Sequence, residues 1–209
     1  MSACFITFEG IEGAGKTTHM QFARSYLEKQ GVAVVQTREP GGTELGERIR
    51  DLLLDDNLPT MAAKTELMLM FAARVEHIDK VIQPALAQGQ WVLSDRFYDA
   101  SYAYQGYGRG MDLTLIDQLK VFSVGNLKPD LSLLFDLDLE TSAARVTGRG
   151  KADRFEQEQA NFFSKVRAGY LALAKEEPTR IQILDACQTI AEVQQGIEVH
   201  LAALLEVKG

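Results

Sequence analysis

Short apolar runs alternate along the whole chain with longer stretches in which apolar positions recur every three or four residues. Residues 4–8, 32–35, 90–94, 131–137 and 180–184 are short and apolar enough to be buried strands. Helical spacing predicts helices over residues 16–30, 43–54, 60–88, 97–105, 113–124, 140–147 and 156–176. Gly31 closes the first of these, Pro84 kinks or restarts the third, and Gly106-Tyr107-Gly108-Arg109-Gly110 separates the fourth from the fifth. A last helix opens on Thr189-Ile190-Ala191-Glu192, which fits a capping box, with Ile190, Val193, Ile197, Leu201 and Leu204 along one face. Strands alternating with helices predict an α/β fold, a five-stranded parallel sheet flanked by helices. Ligands of such sheets bind beyond the carboxyl ends of the strands.

Between the first strand and the first helix stands Gly10-Ile11-Glu12-Gly13-Ala14-Gly15-Lys16-Thr17-Thr18, which reads as GxxxxGK[ST]. Successive backbone N–H groups of such a loop, with the helix N-terminus behind them, cradle a polyphosphate. Lys16 then reaches the outer phosphates and Thr17 places its hydroxyl on Mg²⁺. Charge gathers where the sheet rule expects a ligand: Glu9 ends the first strand, Arg38 and Glu39 the second, Asp95 and Arg96 the third. Pro40, Gly41 and Gly42 stop the second strand abruptly and so present Arg38 and Glu39.

Composition narrows the class. With 209 residues, 46% of them apolar, and no Pro/Gly/Ser-rich linker, the chain is expected to form one domain over residues 1–209. A formal charge of −7 argues against nucleic acid or an anionic membrane as partner, while leaving room for a local basic pocket. Cys4 and Cys187 lack metal-ligand spacing and read as reduced structural residues of a cytosolic protein. The first strand starts almost at once, without an export signal, and the apolar run at 67–73 is too short to span a bilayer, so a cytoplasmic location is expected.

In this order along the chain, Phe8 to Thr18, Arg38-Glu39-Pro40-Gly41-Gly42-Thr43, Ala72-Ala73-Arg74, Asp95-Arg96-Phe97, Ala103-Tyr104-Gln105-Gly106, Pro129-Asp130 and the basic loop at 148–154 resemble the thymidylate kinases. These are P-loop enzymes that phosphorylate dTMP with ATP. The phosphate loop is shared by hundreds of NTPases; the Arg-Glu-Pro-Gly-Gly stretch followed by Asp-Arg-aromatic is far more specific. The resemblance implies a P-loop NTPase fold of the nucleoside monophosphate kinase type, working with Mg²⁺ as a homodimer. It implies that Arg38, Arg50 and Arg96 hold the acceptor phosphate beside Glu39 and Pro40, with Glu9 and Asp95 near it or in the Mg²⁺ shell. Arg74 and Gln105 would face the thymine edge, Ser101 occupies the base-reading position, Tyr104 and Tyr170 would line the deoxyribose, and Arg145 would stack on adenine.

One position departs from the family pattern. Where its members commonly stack thymine on a Phe, this chain has Met70, and Phe71 lies about 100° further around the helix. Either Phe71 turns into the site or the base packs on the Met70 thioether.

Charge also shapes the expected mechanism. An acceptor monophosphate is largely dianionic near neutral pH, its second pKa being ~6, so no general base is required. Phosphoryl transfer needs alignment and cations where charge spreads in the transition state. Lys16 supplies one, but Ile11, Glu12, Gly13 and Ala14 offer none. Arg149 and Arg154, with Lys151, are therefore expected to close over ATP as a lid at about residues 148–156, as the resemblance to bacterial members lacking a P-loop arginine implies. A different nucleoside monophosphate kinase or a deoxynucleoside kinase would share all this and differ in the base pocket. A nucleotide switch of the GTPase kind would need NKxD, and Asn126-Leu127-Lys128-Pro129-Asp130 has the wrong spacing.

Overall fold

The computed structural model describes residues 2–147 and 160–208. Arg149, Lys151, Arg154 and the expected lid segment lie outside the described residues. Five strands, β1 (Phe5–Glu9), β2 (Val34–Arg38), β3 (Trp91–Asp95), β4 (Leu131–Asp136) and β5 (Ile181–Asp185), form one sheet in the order β2-β3-β1-β4-β5. All its pairings are parallel, as the alternation of strands and helices requires.

Each strand is followed by helix: α1 (Lys16–Lys29), α2 (Glu44–Leu54), α3 (Ala63–His77), α4 (Gln83–Ala87), α5 (Tyr98–Ser101), α6 (Leu113–Val124), α7 (Leu139–Thr147), α8 (Ala160–Glu176) and α9 (Ile190–Lys208). The strand period of two sends neighbouring side chains to opposite faces. Cys4, Ile6 and Phe8 pack with Met20, Ala23 and Leu27 of α1 and with Val193, Ile197 and Leu201 of α9. Phe5 and Val92 join Leu67 and Phe71 of α3 and Ile116 of α6 on the other side. At ~1.5–3 kcal/mol for each large apolar side chain removed from water, these two clusters hold the helices on the sheet.

Local differences from the sequence pattern have local causes. β2 starts later than residue 32 because the Val32 N–H donates back to the Leu27 carbonyl (3.1 Å) and so belongs to the end of α1. The expected helix over residues 60–88 is interrupted by a π-helical turn, Ile78–Ile82, immediately before the segment containing Pro84. Proline has no N–H to give to the carbonyl four residues back, and a wider turn absorbs the mismatch. A second π-helical turn, Tyr102–Gly108, carries α5 through the glycines expected to break it. The absence of a Cβ at Gly106 and Gly108 admits Leu113 of α6 and Phe162 of α8 at close range.

In α9, Thr189 and Glu192 exchange the expected capping bonds. Val193, Ile197 and Leu201 are buried as expected, and Leu204 is partly so, but Ile190 is 59% exposed because the first turn of α9 precedes its contact with the core. Cys4 is buried, whereas Cys187, expected to be structural, is exposed; both are free thiols.

Candidate active site

Parallel register is what assembles the site. Asp95 pairs with Arg38 on one side and with Phe8 on the other, so the ends of β2, β3 and β1 stand side by side next to the loop that enters α1. At Gly10, where φ is +136°, an added Cβ would sit 2.6 Å from the Phe135 carbonyl oxygen, so the loop can leave β1 this close to β4 with glycine alone. Ser142 of α7 donates to the Glu12 carbonyl (2.7 Å), fixing the loop from above.

A cavity of about 470 Å³ opens there. Its phosphate end is lined by Glu12, Gly13, Gly15, Lys16, Thr17 and Thr18, and facing them stand Arg38, Glu39, Pro40, Arg50, Asp95 and Arg96. Gly10, Ile11 and Ala14 form the loop without reaching the cavity wall, and Ile11 and Ala14 are buried beneath it.

The cations here are crowded. Lys16 Nζ donates across the loop to the carbonyls of Gly10 (3.2 Å) and Ile11 (3.3 Å). Its ammonium pKa is lowered by burial and then by the Arg96 charge. Arg50 donates to the Pro40 carbonyl (3.1 Å), and burial, Arg38 and Arg96 lower its pKa in turn. Arg38 is paired with Glu47 (2.7 Å) at the cavity mouth. Like charges that weaken one another in a partly desolvated cleft are stabilised by an anion placed among them.

Arg96 lies at the centre of the cluster. Its backbone is left-handed, with φ of +71°, a conformation that costs a residue with a side chain ~1–3 kcal/mol and that clusters at functional sites. Its guanidinium rests on the Tyr104 ring (4.5 Å), pairs with Glu12 (2.6 Å) and donates to the Tyr170 hydroxyl (3.3 Å). Tyr170 is buried behind Arg96 and off the cavity wall, so it supports the cluster instead of lining a sugar pocket as expected.

Glu9 is likewise buried and off the wall, accepting from the Phe97 N–H (2.8 Å) and the Tyr170 hydroxyl (2.9 Å). Burial, and then the Asp99 charge, push its carboxyl up to about 8. The native state therefore holds a proton that the unfolded chain, with a glutamate pKa of ~4.3, has released, and stability falls as pH rises through that window. Melting temperature should drop between about pH 5 and about pH 8 and level off above it, and Glu9→Gln should flatten that slope. Parallel profiles for the two proteins would show that Glu9 is not the group responsible.

Asp95 Oδ1 is buried with no hydrogen-bond partner, and Thr17 lines the same cavity. One oxygen left unmet beside a hydroxyl fits Mg²⁺, which takes one or two protein ligands and fills the remainder with phosphate oxygens and water. Among the described residues no cluster of three or more His, Cys, Asp or Glu exists to hold a metal alone.

The other end of the cavity is lined by Leu54, Met70, Arg74, Phe97, Ala100, Ser101, Tyr104 and Gln105. Met70 is on the wall; Phe71 is buried in the core beneath the Arg74 guanidinium, 4.6 Å from ring to cation. Arg74 is 2% exposed and donates to Glu39 (2.7 Å), Ser101 (3.1 Å) and the Phe97 carbonyl (3.1 Å). Gln105 Nε2 donates to Glu66 (2.9 Å), leaving its amide oxygen as an acceptor. Arg145 is off the cavity wall; it donates to the carbonyls of Gly13 (3.3 Å) and Ala186 (3.2 Å) and so straps the loop to the turn after β5. Arg149 and Arg154 lie outside the described residues.

The sequence reading missed Glu66, His77, Glu47 and Asp99. Two of them left a signal: Glu66, Arg74 and His77 share one helical stripe with Met70, at spacings of 4, 4 and 3, so three polar side chains line up with the expected base-contacting position.

The thymidylate kinase family model matches residues 8–197. Among similar proteins, a thymidylate kinase of Ectopseudomonas mendocina is 55% identical over 206 residues, covering 99% of this chain and 98% of that one. A thymidylate kinase of Alkalilimnicola ehrlichii is 56% identical over 200 residues, covering 95% and 92%. The crystal structure of a thymidylate kinase from Ehrlichia chaffeensis superposes with a TM-score of 0.75 at 35% identity, covering 98% of this chain and 99% of that one.

Proposed function

The chain belongs to the thymidylate kinase family and is an ATP-dependent nucleoside monophosphate kinase, and we propose that this cavity transfers the γ-phosphoryl group of ATP to dTMP through the residues set out above. The observation that carries the assignment is that Lys16 of the phosphate loop and Arg38, Arg50 and Arg96 from the strand ends and α2 line one and the same cavity. The triphosphate of ATP lies in the loop at residues 10–18, and the phosphate of dTMP lies among the three arginines, whose planar forks each pair two oxygens. The acceptor oxygen attacks as the dianion it already is, so the residues align and stabilise without removing a proton. Mg²⁺, held by Asp95 and Thr17, would neutralise charge on the transferred group.

At the base end, Arg74 offers N–H donors and Gln105 an amide oxygen. That pair suits a pyrimidine edge with a carbonyl next to a ring N–H, with Met70 packed on the ring and Tyr104 beside the sugar. Cytosine would turn an amino group toward Arg74, leaving donors face to face. With dTMP, dUMP, dCMP, dGMP and dAMP compared as acceptors, kcat/KM should be highest for dTMP and fall ~10-fold or more for dUMP, for want of one methyl. It should fall ~10²-fold or more for dCMP, and a preference for either purine would overturn the assignment.

Donor-side cations beyond Lys16 are assigned to Arg149 and Arg154, because positions 11–14 carry none. Each changed to Ala should cost ~10²-fold in kcat, and a loss within about threefold would remove the lid from the mechanism. Arg145 is proposed to flank the donor base, a role that its exposure and its bond to the Gly13 carbonyl of the loop support. A homodimer through α3 and α6 is supported by Met68, Val75, Val121 and Phe122, which are 57%, 42%, 73% and 88% exposed. Sedimentation as a monomer at micromolar concentration would count against it. We also take residues 1–209 as one domain in a cytoplasmic setting, which two free thiols fit.

A further inference from the structure

We propose that His77, through Glu39, is a positioning residue for acceptor selection, with Thr37 fixing its imidazole; this rests on the reading that Arg74 faces the acceptor base. Four side chains from β2, its following loop and α3 form one chain of hydrogen bonds, buried except at the partly exposed Thr37. Thr37 Oγ1 meets His77 Nε2 at 2.6 Å, His77 Nδ1 meets Glu39 Oε1 at 2.9 Å, and Arg74 Nε donates to Glu39 Oε2 at 2.7 Å. His77, Glu39 and Arg74 are 0%, 4% and 2% exposed. The Glu39 carboxylate can only accept, so Nδ1 carries a proton and, on a neutral ring, Nε2 accepts from the Thr37 hydroxyl.

The arrangement decides how Arg74 is held. A carboxylate with both oxygens available takes a guanidinium in a two-pronged pairing that uses a terminal nitrogen. Here His77 occupies Oε1, so Glu39 takes only Nε, and both terminal nitrogens are directed to Ser101, the Phe97 carbonyl and the base. Without His77 the carboxylate is free to rotate and draw one terminal nitrogen away. The loop after Pro40 is closed tightly over the ring: at Gly42, with φ of +80°, an added Cβ would sit 2.6 Å from His77 Cδ2 and 2.7 Å from Thr37 Oγ1. Glu39 itself lines the cavity, which brings the chain from a fully buried imidazole to the substrate in two steps.

Steady-state kinetics on purified variants test this. His77→Leu keeps the bulk and removes both nitrogens; it should raise KM for dTMP ~10-fold or more, with kcat within about threefold and KM for ATP within about twofold. His77→Asn places an amide N–H near the Nδ1 position and should bring KM for dTMP back to within about threefold, whereas His77→Gln, reaching the Nε2 position, should behave like Leu. If His77→Leu proves insoluble, the Asn and Gln variants decide between them: equal values overturn the proposal and the expected contrast supports it. Parallel changes in kcat and both KM values, without recovery in Asn, would reduce His77 to packing. Arg74→Ala is measured alongside. If it leaves KM for dTMP unchanged, the base-pocket reading fails; if it raises that KM while His77→Leu does not, the pocket stands and the positioning role falls.

Discussion

Lys16→Ala is expected to lower kcat by ~10²–10³-fold while affinity for dTMP changes by no more than about threefold. Lys16 is the first residue of α1, after Gly15 in a left-handed conformation, and its ammonium already spans the loop to the Gly10 and Ile11 carbonyls. On the proposed function, this is the loop that takes the donor phosphates, where negative charge would build on the transferred group. Burial and Arg96 lower its pKa, so its charge is stabilised most when phosphate oxygens replace water around it. In the proposed function dTMP binds Arg38, Arg50 and Arg96 instead of Lys16, so its binding should survive. The measurement is single-turnover kinetics with dTMP affinity by calorimetry. A kcat within tenfold of the wild type would mean that other cations carry the transition state.

Arg180→Met should cost the fold ~3–5 kcal/mol, because it strands a buried anion. Arg180 donates to both oxygens of Asp99 (2.6 and 2.9 Å), to Ser132 (2.8 Å) and to Glu177 (3.0 and 2.9 Å). Asp99 is 2% exposed and lies in α5, three residues after Arg96, so the pair also pins the end of β3. With Arg180 removed, the Asp99 carboxylate loses the guanidinium that pairs with both its oxygens. At ~2–4 °C per kcal/mol for a chain of this size, the melting temperature should fall by roughly 6–20 °C. The double change Asp99→Leu with Arg180→Met should recover part of that loss, since no buried charge is then left alone. A single-variant loss under ~1 kcal/mol, measured by denaturant titration, would show that water already reaches Asp99.

Both expectations depend on residues that the sequence revealed unequally. Lys16 was legible because its signal is contiguous: a loop of nine residues between a strand and a helix, each recognisable from its neighbours. Arg38 and Glu39 were legible because Pro40, Gly41 and Gly42 end their strand, Asp95 and Arg96 because they follow the apolar run at 90–94, and all four because parallel sheets bind ligands at strand ends. Asp99 and Arg180 are 81 residues apart, and Tyr170 reaches Glu9 across 161. No periodicity of two or 3.6 registers such a pair.

The choice between Met70 and Phe71 shows the same boundary on one helix. Spacing placed both on α3 and about 100° apart, but only the packing of α3 on β1 and β3 set its rotation, burying Phe71 and turning Met70 to the cavity. The amino-acid order alone determined the alternation of strands and helices, the phosphate loop and the positions where charge gathers, because each is written in residues adjacent along the chain. Tertiary structure decided which face of each helix looks inward, which buried charges are paired and which side chains stand one layer behind the cavity. Those outcomes depend on distances that exist only once the sheet has brought remote segments together.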